Sequence, residues 1–377
     1  MIPFNVPLVS GREEKYIKEV LKNNKLSGDG PFTSKCHQWL KQKLNCQEAF
    51  LTPSGTAALE MTAILAGIKP GDDVIMPSFT FVSTANAFVL RGARIVFVDI
   101  RPDTMNIDET LIEKAITDKT RAIVPVHYAG ISCEMGEINK IAKRNNLLVI
   151  EDAAQGINSK YGDKFLGSMG DLSCLSFHET KNITCGEGGA LIINNKKFVE
   201  KAEIIREKGT NRYKFNRGEV NKYIWVDIGS SFLTSELNAA YLFAQLEIVN
   251  KVNEDRIKSW ELYFKYLKDL ADKRVIDLPV IPDNCYPNGH LFYIKVKNKN
   301  ERTRLIKFLK NNGISTVFHY IPLHSSTAGR NYSTFQGEDH WTTKESERLL
   351  RLPLWYGLKK KQISYVCDCI FKFYSRD

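Results

Sequence analysis

Short apolar runs bounded by turn residues alternate with helix-like stretches between residues 47 and 195. Such runs are typical of parallel strands that are buried on both faces of a sheet, with the intervening helices covering those faces. The pattern predicts an α/β fold whose large domain contains a mostly parallel sheet. The predicted strands are 73–77, 94–99, 121–127, 147–152 and 174–177, and the predicted helices are 56–67, 81–91, 108–116 and 135–145.

The C-terminal part of the chain has a different pattern. Residues 199–272 are largely helical in character, with one long run over 235–268. A turn-rich stretch then precedes a strand candidate at 291–296, an amphipathic helix at 302–312 and a short strand at 315–319. With 377 residues, two domains are favoured over one. We predict a large domain at residues 1–250 and a smaller α+β domain at residues 251–377.

Composition excludes several classes of protein. Hydrophobic residues make up 43% and charged residues 25% of the chain, which argues against disorder, collagen and coiled-coil rods. The net charge of +10 suits an anionic partner such as a nucleotide, although a solvated basic surface explains it equally well. Lys and Arg are dispersed rather than clustered with aromatic residues, so we expect no nucleic-acid partner.

The termini and the cysteines indicate a compartment. The N-terminus lacks the basic and apolar regions of a signal peptide, and no run approaches the length of a membrane helix. The eight cysteines form no Cys-x-x-Cys pair, so we expect neither a metal site nor a disulfide scaffold. We therefore expect a cytoplasmic protein without membrane insertion.

Two segments could bind an anion and a cation, respectively. Residues 52–60 place a glycine and several hydroxyl groups at the start of a helix, where backbone N–H groups could hold a phosphate or an ordinary N-cap could form. Asp152 ends an apolar strand, so it could hold a cationic ring nitrogen, coordinate a metal or cap the next helix. Gln155 is near enough in sequence to serve the same pocket.

A third segment, 174–189, could carry a nucleophile. A strand there ends in a loop containing Ser176, His178 and Lys181, and a glycine-rich stretch follows. A surface lysine is an ordinary solvated charge, whereas burial in a pocket lowers its pKa and makes it a Schiff-base nucleophile. A packed core histidine is the simplest interpretation of His178. Further along the chain, His319 and His324 lack a third metal ligand nearby and suit a polar substrate better than zinc.

These motifs, taken in order, resemble those of a known family. Ser-Gly-Thr-Ala-Ala-Leu at 54–59, Glu-Asp-Ala-Ala-Gln at 151–155, Ser-Phe-His-Glu-Thr-Lys-Asn at 176–182 and Gly-Glu-Gly-Gly at 186–189 resemble the DegT/DnrJ/EryC/StrS sugar-nucleotide aminotransferases. The resemblance covers nearly the whole chain. It implies a pyridoxal-phosphate-dependent enzyme of fold-type I, with a mostly parallel sheet of the seven-stranded type.

The resemblance also assigns roles around the cofactor ring. Lys181 would bind pyridoxal phosphate covalently, and Asp152 would pair with the protonated pyridine nitrogen, which keeps the ring an electron sink. Gln155 would lie near the ring hydroxyl, and Phe79 would stack on the ring face. Lys181 argues against the dehydratase branch of the family, in which a histidine takes its place.

The resemblance also implies contacts to the cofactor phosphate and to the substrate. The backbone N–H groups of Gly55 and Thr56 and the hydroxyl of Ser176 would hold the cofactor phosphate. Ser231 occupies the position from which an asparagine of many relatives reaches the phosphate in the neighbouring subunit, so its shorter side chain weakens that inference. His178, His319 and Tyr320 are candidates for contact with the sugar nucleotide.

The reaction implied is transfer of an amino group from L-glutamate to C4 of a dTDP-linked keto sugar, dTDP-4-dehydro-6-deoxy-D-glucose. Resemblance favours the galacto amine; the gluco epimer and amination of a 3-keto sugar are alternatives. A non-catalytic sensor or a nucleic-acid-binding protein is an alternative of another class. Active sites shared between the subunits of a homodimer are expected by analogy with the fold.

Overall fold

The computed structural model describes residues 1–375. In that range the helices are α1 Glu13–Lys22, α2 Pro31–Leu44, α3 Gly55–Leu65, α4 Val82–Val89, α5 Glu109–Ile112, α6 Met135–Arg144, α7 Val199–Arg206, α8 Arg212–Asn216, α9 Glu236–Leu246, α10 Val249–Asp272, α11 Lys299–Asn311, α12 Thr327–Tyr332, α13 Thr342–Arg348 and α14 Lys360–Tyr374. The strands are β1 Glu48–Thr52, β2 Asp73–Pro77, β3 Arg94–Val98, β4 Thr120–Ile123, β5 Leu148–Asp152, β6 Lys160–Tyr161, β7 Lys164–Phe165, β8 Leu172–Ser176, β9 Gly189–Ile193, β10 Cys285–Tyr286, β11 Phe292–Lys295, β12 Val317–Phe318, β13 Ser333–Phe335 and β14 Leu349–Leu352.

The predicted mostly parallel sheet is confirmed. Its strand order is β1-β9-β8-β5-β4-β2-β3-β13, and only β9 runs antiparallel to its neighbours. The sheet thus has eight strands in the described residues, one more than the seven-stranded type expected. Because the other seven strands point the same way, their carboxyl ends meet along one edge, where ligands of α/β sheets bind.

Apolar side chains cover this sheet on both faces. Along β2, Val74 and Met76 belong to the cluster that contains α3 and α4, whereas Ile75 belongs to the cluster that contains α6. Alternating residues of a strand point to opposite faces, so each face needs its own layer of helices. The result is the three-layer arrangement that the alternating apolar runs predict.

The C-terminal part forms a second, three-stranded antiparallel sheet of order β11-β14-β12, against which α10, α11 and α14 pack. Three backbone pairings connect this unit with the first 250 residues. Residues of β13 pair in parallel with β3, β10 pairs with β6 in a small sheet of order β10-β6-β7, and Ile2 at the N-terminus forms a bridge with Ile314 and joins the C-terminal core. The division after residue 250 stays a prediction, with these three pairings as exceptions to it within residues 1–375.

The single long helix predicted over 235–268 is wrong. Two helices, α9 and α10, occupy this region, and the chain leaves helical geometry at Ile248, where φ is −115° and ψ is 10°. The break lets α9 pack on α1 and α2 while α10 continues to α14. Neither glycine nor proline interrupts residues 235–272, so the sequence contains no local signal for the change of direction.

A buried carboxylate joins α9 to the start of α2. Glu236 is fully buried, and its side chain accepts hydrogen bonds from the N–H groups of Gly30 (3.1 Å), Phe32 (2.8 Å) and Thr33 (2.8 Å) and from the Thr33 hydroxyl. These N–H groups are the unpaired donors of a helix N-terminus, which favours a negative charge.

Replacing Glu236 by glutamine is expected to destabilise the protein by about 2–4 kcal/mol, because the new NH₂ group faces donors instead of accepting from them. Urea denaturation of Glu236→Gln against the unmodified chain measures this loss. The exposed Glu14, which forms a surface ion pair with Lys18, provides the matched control Glu14→Gln, for which no measurable change is expected. Equal stability of the Glu236 variant would contradict the assigned role.

Candidate active site

One cavity of about 490 Å³ opens at the carboxyl ends of the parallel strands and extends to the C-terminal sheet. It collects residues that the sequence analysis singled out from segments more than 100 residues apart. Nine of the predicted site residues line it: Gly55, Thr56, Asp152, Gln155, Ser176, His178, Lys181, His319 and Tyr320. Phe79 and Ser231 do not.

Lys181 lies in the loop after β8, and its side chain faces this cavity. Removal from water lowers the pKa of its ammonium group from 10.5 to about 8. Asp152 partly opposes this shift and Arg351 adds to it. A lysine with such a pKa is a far better nucleophile and proton acceptor near neutral pH than a solvated one.

Asp152 ends β5, lines the cavity and is held in place by hydrogen bonds. Its Oδ2 accepts from the Thr84 hydroxyl at 2.7 Å, and its Oδ1 accepts from the Ala154 N–H at 3.1 Å. No helix follows within residues 153–159 for Asp152 to cap, and its role as partner of a cationic ring nitrogen stays a prediction. Across residues 1–375 no group of three His, Cys, Asp or Glu side chains could hold a metal ion.

Gln155 bridges the two parts of the cavity. Its Oε1 accepts from the Ala129 N–H at 2.7 Å, and its Nε2 donates to the Tyr320 hydroxyl at 3.1 Å. These bonds use both ends of the amide and leave little rotational freedom. Tyr320 of the C-terminal part is thereby fixed beside the carboxyl end of the large sheet.

The start of α3 forms a cradle of donors beside Lys181. Ser54 caps the helix by accepting from the Ala57 N–H at 3.0 Å, while the Thr56 hydroxyl lies 2.7 Å from that of Ser83. A Cβ on Gly55 would lie 3.0 Å from the Ser176 Cβ, so a glycine is needed for this close approach. Free N–H groups at a helix start next to two hydroxyls suit a phosphate.

The ring-stacking role predicted for Phe79 does not fit the structure. Phe79 is fully buried below the cavity, where its ring packs against Tyr128 and Tyr320 at centroid distances of 5.0 and 5.5 Å. Phe81, two residues further on, lines the cavity and is 56% exposed. The chain turns after β2, and this turn decides which of the two aromatic rings faces a ligand.

The three residues predicted for substrate contact differ in environment. His178 is half exposed at the rim, with its Nδ1 3.0 Å from the Thr180 hydroxyl. His319 is enclosed between Tyr128, 3.2 Å from its Nδ1, and Arg351, 3.3 Å from its Nε2. Because arginine can only donate, Nε2 accepts and the imidazole is neutral, which agrees with its pKa well below the usual value through burial and Arg351.

Ser231 lies in a separate surface depression that Lys25, Glu207 and Arg212 also line. Its predicted contact concerned a neighbouring subunit, so the role stays a prediction.

Four arginine and histidine residues of the cavity wall were absent from the sequence-derived set: His127, Arg256, His290 and Arg351. Arg256 donates to the carbonyl oxygens of Gly289 and His290, at 3.0 and 2.5 Å, and burial lowers its pKa to about 9. Arg351 lies between apolar residues of β14, and this pattern indicates a strand at the border of the core rather than a ligand site. The two arginines give the wall formed by the C-terminal part a positive charge, whereas burial and the neighbouring cations lower the pKa of His290 well below its usual value.

A family model for the DegT/DnrJ/EryC1/StrS aminotransferases matches residues 8–371. The chain belongs to this family. It is 36% identical over 323 residues to a pleiotropic regulatory protein of Geobacillus stearothermophilus, covering 85% of this chain and 83% of that protein. It is also 30% identical to the GDP-perosamine synthase of Escherichia coli O157:H7, covering 99% of each.

A solved relative supports the same conclusion. The structure of DesV from S. venezuelae in complex with a ketimine intermediate superimposes with a TM-score of 0.89 and 28% identity, covering 100% of this chain and 99% of that chain. The protein is a pyridoxal-phosphate-dependent sugar aminotransferase of the DegT/DnrJ/EryC1/StrS family. The alternatives of a non-catalytic sensor and a nucleic-acid-binding protein are thereby set aside.

The residues present fit pyridoxal phosphate. A lysine amine with a lowered pKa, a buried carboxylate and a helix start flanked by hydroxyls match its aldehyde, its pyridine nitrogen and its phosphate, respectively. Gly55 also leaves a space that a Cβ would fill. As a separate finding, no helix within residues 1–375 is long and apolar enough to cross a membrane.

The lowered pKa of Lys181 predicts a pH-dependent stability difference in the cofactor-free protein. Between about pH 8 and 10.5 the unfolded chain binds more protons than the folded one, so the native state gains stability as pH rises. Lys181→Met removes this term and is expected to be more stable by about 3 kcal/mol below pH 8, an advantage lost by pH 10.5. Denaturation of both proteins across this range measures the difference; a constant difference would show that the lysine is not desolvated.

Proposed function

We propose that this enzyme transfers an amino group from L-glutamate to C4 of dTDP-4-dehydro-6-deoxy-D-glucose, giving dTDP-4-amino-4,6-dideoxy-D-galactose and 2-oxoglutarate. One observation carries the proposal. Lys181, whose pKa is lowered, and the buried Asp152 line the same cavity, and Arg256 and Arg351 of the C-terminal part line its other wall. The segments 77–86, 176–182 and 344–353 resemble those of dTDP-4-amino-4,6-dideoxygalactose transaminases, which supports the choice of sugar, nucleotide and C4 configuration.

Bound pyridoxal phosphate supplies an aldehyde that accepts the amino group and a cationic ring that stabilises negative charge on carbon. The chain's own residues would hold it: Lys181 would bind it covalently, Asp152 would keep the ring nitrogen protonated, and Gln155 would serve the ring hydroxyl. Gly55, Thr56 and Ser176 would bind the phosphate, and Phe81 would take the stacking role that the sequence analysis gave to Phe79.

Lys181 moves the proton in both halves of the reaction. In the first half its Nζ, freed when the donor amine displaces it, would take the proton from Cα of L-glutamate and deliver it to the cofactor carbon that carries the transferred nitrogen. In the second half it would take a proton from that carbon and deliver it to C4 of the sugar. With a pKa of about 8, roughly a quarter of the lysine is neutral at pH 7.5, against about one part in a thousand for an ordinary lysine. Desolvation thus supplies the base at neutral pH.

The keto sugar enters from the side formed by the C-terminal part. His178 at the rim and His319 and Tyr320 deeper in the cavity line this route. Neutral imidazole and phenol groups suit sugar hydroxyls, whereas the chain's net charge of +10 favours approach of a diphosphate. The orientation of the sugar over the ring decides between the galacto and gluco amines.

We also propose a homodimer with shared active sites. Support comes from the segment 215–228, which is largely exposed in the single chain although it contains large apolar residues such as Tyr223, Ile224 and Trp225. The segment precedes Ser231, the residue predicted to reach a neighbouring subunit. A fully active protein that sediments with the 42.9 kDa mass of one chain would contradict the dimer.

A second candidate substrate is a GDP-linked sugar. It is favoured by the match to the GDP-perosamine synthase, which spans almost the full length of both proteins. The fold and the cofactor residues serve either nucleotide, so the two candidates differ only in what the outer cavity accepts.

The deciding experiment loads the protein with pyridoxal phosphate, adds L-glutamate, removes the amino acid and then offers one keto sugar at a time. The dTDP-linked 4-keto sugar is expected to restore the visible absorbance of the lysine-bound cofactor. NMR of the product then assigns the C4 configuration. Restoration only by a GDP-linked 4-keto sugar or by a 3-keto sugar would overturn the choice of substrate while leaving the aminotransferase assignment intact.

A further inference from the structure

Arg351 is a charged side chain of the cavity whose charge is not balanced by a carboxylate in residues 1–375. It lies on β14, the middle strand of the C-terminal sheet, between Tyr293 on one neighbouring strand and Val317 on the other. No carboxylate oxygen of residues 1–375 lies within 4 Å of its guanidinium group. Its Nε is shielded from solvent and has no hydrogen-bond partner in the same range.

The surroundings hold the guanidinium in place without neutralising it. Its Cζ lies 4.7 Å from the centre of the Phe4 ring, a cation–π contact, and its Nη1 lies 3.3 Å from Nε2 of the neutral His319. A desolvated cation without a counter-ion is costly, and proteins ordinarily pair it. Retaining it on the wall of a substrate cavity therefore points to a bound anion.

Two positions in the substrates carry negative charge, and they lie at different distances from the reacting carbon. In an amino-acid donor the α-carboxylate is bonded directly to the carbon that loses its proton to Lys181. In the keto sugar the neighbours of C4 are uncharged, and the diphosphate is attached to C1 across the ring. Arg351 is close enough to Lys181 for its charge to lower the pKa of the lysine.

We propose that Arg351 binds the α-carboxylate of the amino donor and so orients its Cα toward Lys181. The planar guanidinium group matches a carboxylate through two parallel hydrogen bonds, which fixes direction as well as affinity. Arg256, the other arginine of this wall, already donates to two carbonyl oxygens and holds the wall together. The inference rests on the proposed function, since it assumes an amino-acid donor.

The test separates the two half-reactions of the enzyme loaded with pyridoxal phosphate. Arg351→Met is expected to lower the ratio of maximal rate to dissociation constant for L-glutamate by about 10²-fold, the size of a lost charge-assisted pair. The half-reaction of the pyridoxamine form with the keto sugar is expected to change less than about 3-fold. Arg351→Lys keeps a positive charge but not the planar guanidinium group. Its ratio for L-glutamate is expected to lie between those of the unmodified enzyme and Arg351→Met.

Donor analogues identify the contacted group. L-Isoglutamine has an amide in place of the α-carboxylate, so the unmodified enzyme and Arg351→Met are expected to use it about equally poorly. L-Glutamine keeps the α-carboxylate, so the difference of about 10²-fold is expected to persist with it. An equal difference between the two proteins for L-glutamate and L-isoglutamine would overturn the proposal.

Arg302→Met is the matched control. Arg302 belongs to the same part of the chain and also has a shielded Nε without a partner in residues 1–375, but it lies outside the cavity and donates to the Ser346 carbonyl oxygen. Its half-reactions are expected to be unchanged. Thermal melting monitored by circular dichroism shows whether Arg351→Met is folded, and Arg351→Lys carries the test if it is not.

The other possible outcomes also bear on the role of Arg351. A loss in the keto-sugar half-reaction as large as that with L-glutamate would make Arg351 a sugar or structural residue and overturn the proposal. Rejection of the dTDP-linked sugar would refute the proposed acceptor. The half-reaction with L-glutamate would still test the role of Arg351. If L-glutamate itself is not a donor, the same comparison is made with L-glutamine or L-alanine, which keep the α-carboxylate.

Discussion

Lys181→Ala is expected to lower kcat for amino transfer by more than about 10⁴-fold, the upper end of what general acid–base catalysis alone supplies. The variant loses both the covalent bond to the cofactor and the group that moves the proton. Alanine adds no bulk to the cavity, and the hydrogen bonds of Asp152 do not involve Lys181. The fold and cofactor binding are therefore expected to persist.

Steady-state release of 2-oxoglutarate measures the loss, and the absorbance spectrum shows whether the cofactor is still bound. A small primary amine added to the solution is expected to restore part of the rate in proportion to its neutral fraction, because it can replace the missing base. Lys140→Ala serves as the control, since Lys140 is an exposed helix residue that forms a surface ion pair with Glu137. Retention of more than a few per cent of the activity by Lys181→Ala would refute its role.

Asp152→Asn is expected to give the second largest effect, a decrease in kcat of about 10²–10³-fold. Asparagine has the same shape and can keep the contacts to Thr84 and Ala154, but it carries no charge to keep the ring nitrogen protonated. The loss is thus electrostatic, and the KM for either substrate is expected to change little.

Two comparisons distinguish this effect from a packing defect. Thr84→Val removes one hydrogen bond to Asp152 but leaves its charge, so its loss is expected to stay near 10-fold. A cofactor methylated at the ring nitrogen keeps its positive charge without a counter-ion, so it is expected to restore part of the activity of Asp152→Asn. Failure of the methylated cofactor together with an equal loss in Thr84→Val would show that the carboxylate only positions its neighbours.

Much of this architecture could be predicted from periodicity. The strand predicted at 73–77 coincides with β2, because a strand buried on both faces has a continuous apolar run, here 74–77, after its first residue Asp73. Lys181 and Asp152 could be predicted to lie together, because both follow parallel strands whose carboxyl ends share an edge. These inferences depend on local patterns and on one general rule for α/β sheets.

The parts that escaped prediction depend on tertiary contacts. Residues 333–335 form a strand only because β3 offers its edge, and their own sequence contains one large apolar residue. Which of Phe79 and Phe81 faces the cavity depends on the path of the chain after β2. Arg351 is flanked by leucines on β14, so its sequence context could not show that it faces the cavity.

The pairing of β13 with β3 and the bridge between Ile2 and Ile314 have a consequence for dissection of the protein. A fragment that ends at residue 250 would lack residues 333–335 and so expose the backbone donors and acceptors along β3, which favours intermolecular β-pairing. The same cut would remove Ile314 from Ile2 and Arg351 from the Phe4 ring. We therefore expect truncation at this position to give aggregates rather than a soluble cofactor-binding half.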